Sequence, residues 1–247
     1  MGNCLVTKLK SIVDNNNLPY LDTVVISVNA DTQSDDLLRF QPSPVSGKSI
    51  DVVLMDASKV MYHTDNTFTN VYGNSATLVG NPAVTDDNKN IVDVSQGNYK
   101  IHIKGKANIY DLSLGGGMSI NLADLQSCLE LTSLSARVGT LKCVGDCANL
   151  KNCTKLTDLQ LGSSDCYGDI TSLANLVNLT ILDVRTSIID SPNHSLNDFL
   201  DAVVQVGGRN SGIIRIYING NFGAEGTAID IQFYPVSSEH PRGWKTL

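Results

Sequence analysis

The residues able to do acid–base or covalent chemistry are spread thinly along this chain. Its four histidines, His63, His102, His194 and His240, are scattered, and none stands in an H-E-x-x-H pair. No G-x-S-x-G nucleophile elbow, phosphate loop or G-x-G-x-x-G fingerprint is present. Gly115-Gly-Gly117 shares only composition with a phosphate loop; without a following lysine it reads as a turn after a strand. The run Asp86-Asp87-Asn-Lys-Asn offers oxygen ligands for calcium but lacks the spacing and closing glutamate of an EF-hand loop, so a solvated turn is expected. Carboxylates are plentiful, yet a hydrolytic pair would have to be assembled by the fold. These residues point to a protein that is not an enzyme, with no catalytic residue, metal or cofactor.

The six cysteines, Cys4, Cys128, Cys143, Cys147, Cys153 and Cys166, include no C-x-x-C pair, and their spacing matches no zinc site. Cys128, Cys153 and Cys166 fall where a repeating pattern would bury a small apolar residue, so reduced core thiols are expected.

Composition narrows the partners. The chain has 247 residues, 42% of them hydrophobic and only 17% charged, with a net charge of -7. Phosphate recognition needs clustered Lys and Arg, which are missing, so a nucleic-acid partner is not expected. The opening MGNCLVTKLKSIVDNNNLPYLDT lacks an apolar run long enough for a signal peptide or membrane span, so neither export nor membrane insertion is expected. Gly2 and Cys4 invite an acylation reading, but Val6 stands where the myristoylation pattern wants Ser or Thr.

Three segments superimpose without a gap: Leu125-Gln-Ser-Cys128-Leu-Glu-Leu131-Thr-Ser-Leu134-Ser-Ala136, Leu150-Lys-Asn-Cys153-Thr-Lys-Leu156-Thr-Asp-Leu159-Gln-Leu161 and Leu173-Ala-Asn-Leu176-Val-Asn-Leu179-Thr-Ile-Leu182-Asp-Val184. Equivalent positions lie 25 and then 23 residues apart, within the leucine-rich-repeat range. Gly139, Ser164 and Ser187 occupy the position where such repeats usually carry Asn, so irregular coils are expected. Weaker copies flank them: Ile109-Tyr-Asp-Leu112-Ser-Leu114 leads to Gly117, and Ile213-Ile-Arg-Ile216-Tyr-Ile218 leads to Asn221. Before the last copy the spacing of Leu196, Phe199, Leu200, Val203 and Val204 predicts a helix over 195–206, capped by Ser195 and stopped at Gly207-Gly208.

Alternate strand residues point to opposite faces, so the leucines enter the interior and the residues between them stand on an exposed parallel sheet. That outward set comprises Asp111, Ser113, Ser133, Ser135, Asp158, Gln160, Ile181, Asp183, Arg185, Arg215, Tyr217 and Asn219. From it Asp158, Gln160, Asp183, Arg185, Arg215, Tyr217 and Asn219 are the candidate binding residues, because Arg and Tyr are favoured at interface hot spots.

Upstream, runs such as Thr23-Val-Val-Ile-Ser-Val28, Ile50-Asp-Val-Val-Leu-Met55, Ile91-Val-Asp-Val94 and Tyr99-Lys-Ile-His-Ile-Lys104 alternate with polar turn material. The expected fold class is therefore mixed α/β: a β-rich, sandwich-like domain that caps the N-terminal end of the repeats, either as a separate unit or through a sheet continuous with them, then a short irregular leucine-rich-repeat solenoid with a parallel sheet. The expected divisions are an N-terminal docking segment (1–20), the β-rich domain (21–106), the repeat domain (107–234) and a C-terminal tail (235–247).

The opening Cys4-Leu-Val-Thr-Lys-Leu-Lys, the Asn-rich spacer before Leu18-Pro-Tyr-Leu21, Gly97-Asn-Tyr-Lys-Ile-His-Ile-Lys-Gly105 and the repeats together resemble a family of proteins encoded by Bacteroides-type bacteria and their crAss-like bacteriophages. The resemblance implies a virion structural protein, a head fibre or capsid decoration, assembled in the host cytoplasm. Its N-terminal part would dock on capsid or other virion proteins, and its repeat domain would face outward toward a host surface glycan or protein. A homo-oligomer, dimer or trimer, is expected at such symmetric positions. A bacterial leucine-rich-repeat adhesin or interaction module is the competing expectation, and a glycan-active enzyme a third.

Overall fold

The computed structural model describes residues 22–29, 39–46, 48, 51–56, 59–65, 71–72, 98–114, 118–136, 142–162, 165–185, 188–189, 196–217 and 228–247. The expectations for residues 1–20, 86–90, 91–94 and 115–117, and for Gly139, Ser164, Ser187, Ser195, Asn219 and Asn221, lie outside the described residues.

In chain order the strands are β1 (Thr23–Asn29), β2 (Arg39–Pro44), β3 (Asp51–Asp56), β4 (Lys59–Asp65), β5 (Val71–Tyr72), β6 (Asn98–Lys104), β7 (Ile109–Leu114), β8 (Met118–Asn121), β9 (Ser133–Ser135), β10 (Lys142–Asp146), β11 (Asp158–Gln160), β12 (Asp165–Gly168), β13 (Ile181–Asp183), β14 (Ile188–Ile189), β15 (Ile213–Tyr217), β16 (Ala228–Phe233) and β17 (Trp244–Thr246), with helix α1 at Leu196–Gln205. They form two mixed sheets, neither closed into a barrel: β14-β12-β10-β8-β1-β6-β3-β4 and β17-β16-β15-β13-β11-β9-β7-β2-β5.

From β7 to β15 the chain alternates between the two sheets, so each coil lays one strand in each. In the nine-stranded sheet β7, β9, β11, β13 and β15 run parallel and in register, with Leu112, Leu134, Leu159, Leu182 and Ile216 in one inward column. Every apolar position that recurs in all three aligned segments is buried, from Leu125, Cys128, Leu131, Leu134 and Ala136 to Leu173, Leu176, Leu179, Leu182 and Val184. Burying one such leucine contributes about 1.5–3 kcal/mol, and only stacked neighbours make that burial available.

The second parallel stack, β8-β10-β12-β14, is not among the sequence expectations, which foresee a single parallel sheet. It is joined to the first by 3-10 turns at Leu122–Leu125, Cys147–Leu150 and Ile170–Leu173. Asn121, Asp146 and Asp169 cap these turns by accepting the N–H groups of Ala123, Ala148 and Thr171 at 2.8–2.9 Å. Gly168 precedes one of these caps with φ +109, and a Cβ there would collide with the Asp146 carboxylate of the coil before.

On the far side of each turn a threonine ladder ties the coils together. Thr132, Thr157 and Thr180 donate their hydroxyls to the carbonyls of Tyr110, Thr132 and Thr157, one coil back, at 2.9–3.1 Å. Their N–H groups bond the same carbonyls at 2.7–2.8 Å.

The division expected near residue 106 falls inside continuous sheets. β1 lies between antiparallel β6 and antiparallel β8, while β2 pairs antiparallel with β7, so the N-terminal strands extend both sheets instead of forming a separate sandwich. Val24, Ile26 and Ile103 belong to the same apolar core as the leucines. The physical reason is the open edge of the first coil, whose unpaired backbone groups the N-terminal strands satisfy.

At the other end α1 buries Phe199, Leu200 and Val203 against the last coil and stops at Gly208, whose φ is +71. Residues 235–247, expected to be a tail, end in β17, which pairs with β16 and continues the sheet beyond β15. The Asp201 carboxylate of α1 accepts from Trp244 Nε1 at 2.7 Å and from Arg242 Nε at 3.0 Å, and Arg242 stacks over the Trp244 ring at 4.4 Å. Arg209 is buried and donates to the carbonyls of Leu179, Ser211 and Ile213 while lying 4.5 Å from the Phe233 ring. Helix and hairpin thus cover the apolar end that a stack of coils otherwise exposes.

Cys128, Cys143, Cys147, Cys153 and Cys166 are all buried thiols, none of them in a disulfide. Burial pushes the Cys128 thiol up to about 12 and those of Cys147 and Cys153 up to about 11, from an ordinary value of 9.0. Above that ordinary value the unfolded chain ionises these thiols while the folded chain keeps them protonated, so the unfolded state gains. Stability is therefore full below about pH 9 and declines up to about pH 11–12, by as much as about 1.4 kcal/mol per pH unit for each thiol. Urea midpoints measured across that range should fall, with a shallower slope in Cys128→Ala; equal slopes in the two proteins would contradict this account.

Candidate functional site

Strand parity sets the outer face of the nine-stranded sheet as two straight rows. The first contains Asp111, Ser133, Asp158, Ile181, Arg215 and Asp230, and the second Ser113, Ser135, Gln160, Asp183 and Tyr217. The structure thus brings together Asp158, Gln160, Asp183, Arg185, Arg215 and Tyr217 from the candidate set, whereas Asn219 lies outside the described residues.

Side-chain contacts divide this face. On the C-terminal strands the guanidiniums are paired and fixed. Arg185 Nη2 and Nε reach Asp183 Oδ2 and Oδ1 at 2.7 and 3.0 Å, and its guanidinium lies 4.8 Å from the centre of the Tyr217 ring. Arg215 meets Asp230 at 2.7 and 2.8 Å. The hydrogen bonds to Asp183 and Asp230 hold both arginines above the usual guanidinium range.

Asp183 corrects the expectation of an exposed carboxylate. It points outward by parity but is only 1% exposed, because Arg185 folds back over it and Gly162 leaves it room. A Cβ at Gly162 would stand 3.2 Å from Asp183 Oδ1.

On the N-terminal strands the acids have no such cation among the described residues. Gln160 Nε2 donates to both Asp158 oxygens at 2.8 and 2.9 Å. Burial raises the Asp111 carboxyl above the usual range, with the Asp158 charge adding to the rise and a Ser133 hydrogen bond opposing it. Asp111 Oδ1 is shielded from water and has no hydrogen-bond partner. Asp111 and Asp158 stand on one face of the sheet, two strands apart, with Ser133 between them.

His102 lies half-buried on β6, its imidazole lowered by burial and by nearby Lys100, while His240 stacks on Tyr234 at 3.9 Å. Among the described residues no group of three or more His, Cys, Asp or Glu is placed to hold a metal ion, and no helix is long and apolar enough to cross a membrane. What the face offers is hydroxyls, carboxylates, a carboxamide and two immobilised guanidiniums on a flat, regularly spaced surface.

Two consequences can be measured. Asp183→Ala removes the buried acceptor of the Arg185 N–H, Nε and Nη2 bonds and leaves a solvent-accessible guanidinium, so it should lower stability by about 1–3 kcal/mol, whereas Arg215→Ala should leave the urea midpoint unchanged. Asp111→Asn should raise the midpoint at neutral pH, because the folded chain binds the Asp111 proton more tightly than the unfolded chain does. Wild-type stability then falls as pH rises from 3.8 through the raised folded value, and the advantage of the variant vanishes once the carboxyl is protonated. A constant difference between the two proteins from acid to neutral pH would refute the assignment.

No family model, curated protein or solved structure matches this chain, so its site is defined by its own geometry.

Proposed function

We propose that this chain is a non-enzymatic structural protein, a short leucine-rich-repeat solenoid that engages a partner on the outer face of its nine-stranded sheet. The observation that carries this reading is the equal register of β7, β9, β11, β13 and β15, which sets outward side chains in straight rows at a spacing of about 4.8 Å. A rigid, regularly spaced array suits recognition of an extended surface, since little order is lost on binding.

The setting follows the resemblance of the opening residues and of Gly97–Gly105 to the crAss-like phage proteins. It assigns the chain to a virion as a head fibre or capsid decoration, attached through its N-terminal segment and present as a dimer or trimer. The test is mass spectrometry of purified virions, with copy number measured against the major capsid protein. Detection at a fixed ratio is expected; absence from the particle would sink the virion reading and leave a cellular interaction module.

A further inference from the structure

The unmatched chemistry of the outer face changes from one end to the other. At the N-terminal end, neither Asp111 nor Asp158 has a cationic partner among the described residues; Asp111 Oδ1 is closed to solvent, which leaves the part-exposed Asp158 carboxylate as the charge that an arriving cation can reach. At the C-terminal end the arginine charges are already met by Asp183 and Asp230, so what remains unmatched there is apolar. Ile213 is 46% exposed on the same side of β15 as Arg215 and Tyr217, and Ile181 stands beside Arg215.

Building on the reading of this face as a docking surface, we infer that its occupant is a protein segment carrying a lysine or arginine over Asp111 and Asp158 and an apolar side chain over Ile181 and Ile213. Charge complementarity selects the first contact. The second fits the apolar core and aromatic or arginine surround of protein interfaces. Neutral glycans supply neither a cation nor an aliphatic side chain, while nucleic acids and anionic lipid surfaces bring charge of the wrong sign. From Ser133, midway between the two acids, to β13 and β15 is about 10–14 Å across the strands. An extended segment covers that distance in about three to five residues, which sets the spacing between its basic and apolar side chains.

The test is selection from a displayed library of random peptides on the intact chain, run in parallel on wild type and on Ser135→Arg, whose long side chain obstructs the centre of the face. The expected result is enrichment of peptides with the basic and apolar residues at that spacing. Binding of the enriched peptides should weaken about tenfold in Asp111→Asn/Asp158→Asn and in Ile213→Ser, with only the former loss mimicked by high salt. Enrichment of peptides without this pairing, still abolished by Ser135→Arg, would overturn the partner chemistry and leave the docking face standing. Peptides indifferent to Ser135→Arg, or no enrichment, would overturn both. Circular dichroism and urea midpoints of each variant separate lost binding from lost folding.

Discussion

A single coil of this chain cannot satisfy itself. Its strands are three to five residues long, its leucines have no second layer within the coil, and its carbonyls point at the coil that follows. Stacking meets all three demands at once. The leucine columns close the interior, the parallel ladders pair the strands, and the threonines hand each carbonyl two donors from the next coil. Register is therefore not adjustable, since a slip of one residue would send Leu134, Leu159 and Leu182 to the outside together.

The same constraint dictates what happens at the ends, where there is no further coil. The N-terminal side answers with antiparallel strands that pair with β7 and β8, which is why the expected domain boundary leaves no break in either sheet. The C-terminal side answers with α1 over the interior and an antiparallel hairpin along the nine-stranded sheet. Arg209 fastens the two by bonding carbonyls from the last coil and from the entry to β15, a role that needs many donors and no counter-ion.

Legibility in the sequence followed the range of each interaction. The leucine register repeats locally, and its positions are buried as expected, as is the apolar stripe of α1. The second stack was illegible by periodicity because β10 and β12 carry Lys142-Cys-Val-Gly-Asp146 and Asp165-Cys-Tyr-Gly168, too short to show alternation. A signal did exist in the recurring Gly-Asp at 145–146 and 168–169 and the Leu-Thr at 131–132, 156–157 and 179–180, which mark the corners and the ladder. The C-terminal strand had no local signal: Trp244 is held by Asp201, 43 residues earlier, and nothing in residues 235–247 alone shows that partner.

Parity in the repeats correctly assigned faces but not exposure, and Asp183 shows why the distinction matters for function. An outward position on a sheet is solvated only until a neighbour folds over it, as Arg185 does with the help of Tyr217. The covered Asp183–Arg185 pair then stands as fixed relief on the surface, its charges met within the molecule. Among the described residues no arginine reaches Asp111 or Asp158, and the donor nearest to Asp158 is Gln160 Nε2. On the proposed docking reading, recognition on this face would divide accordingly, with the covered pair at one end resisting misfit and the acids at the other supplying attraction, while the leucine stack holds the two ends at a constant distance.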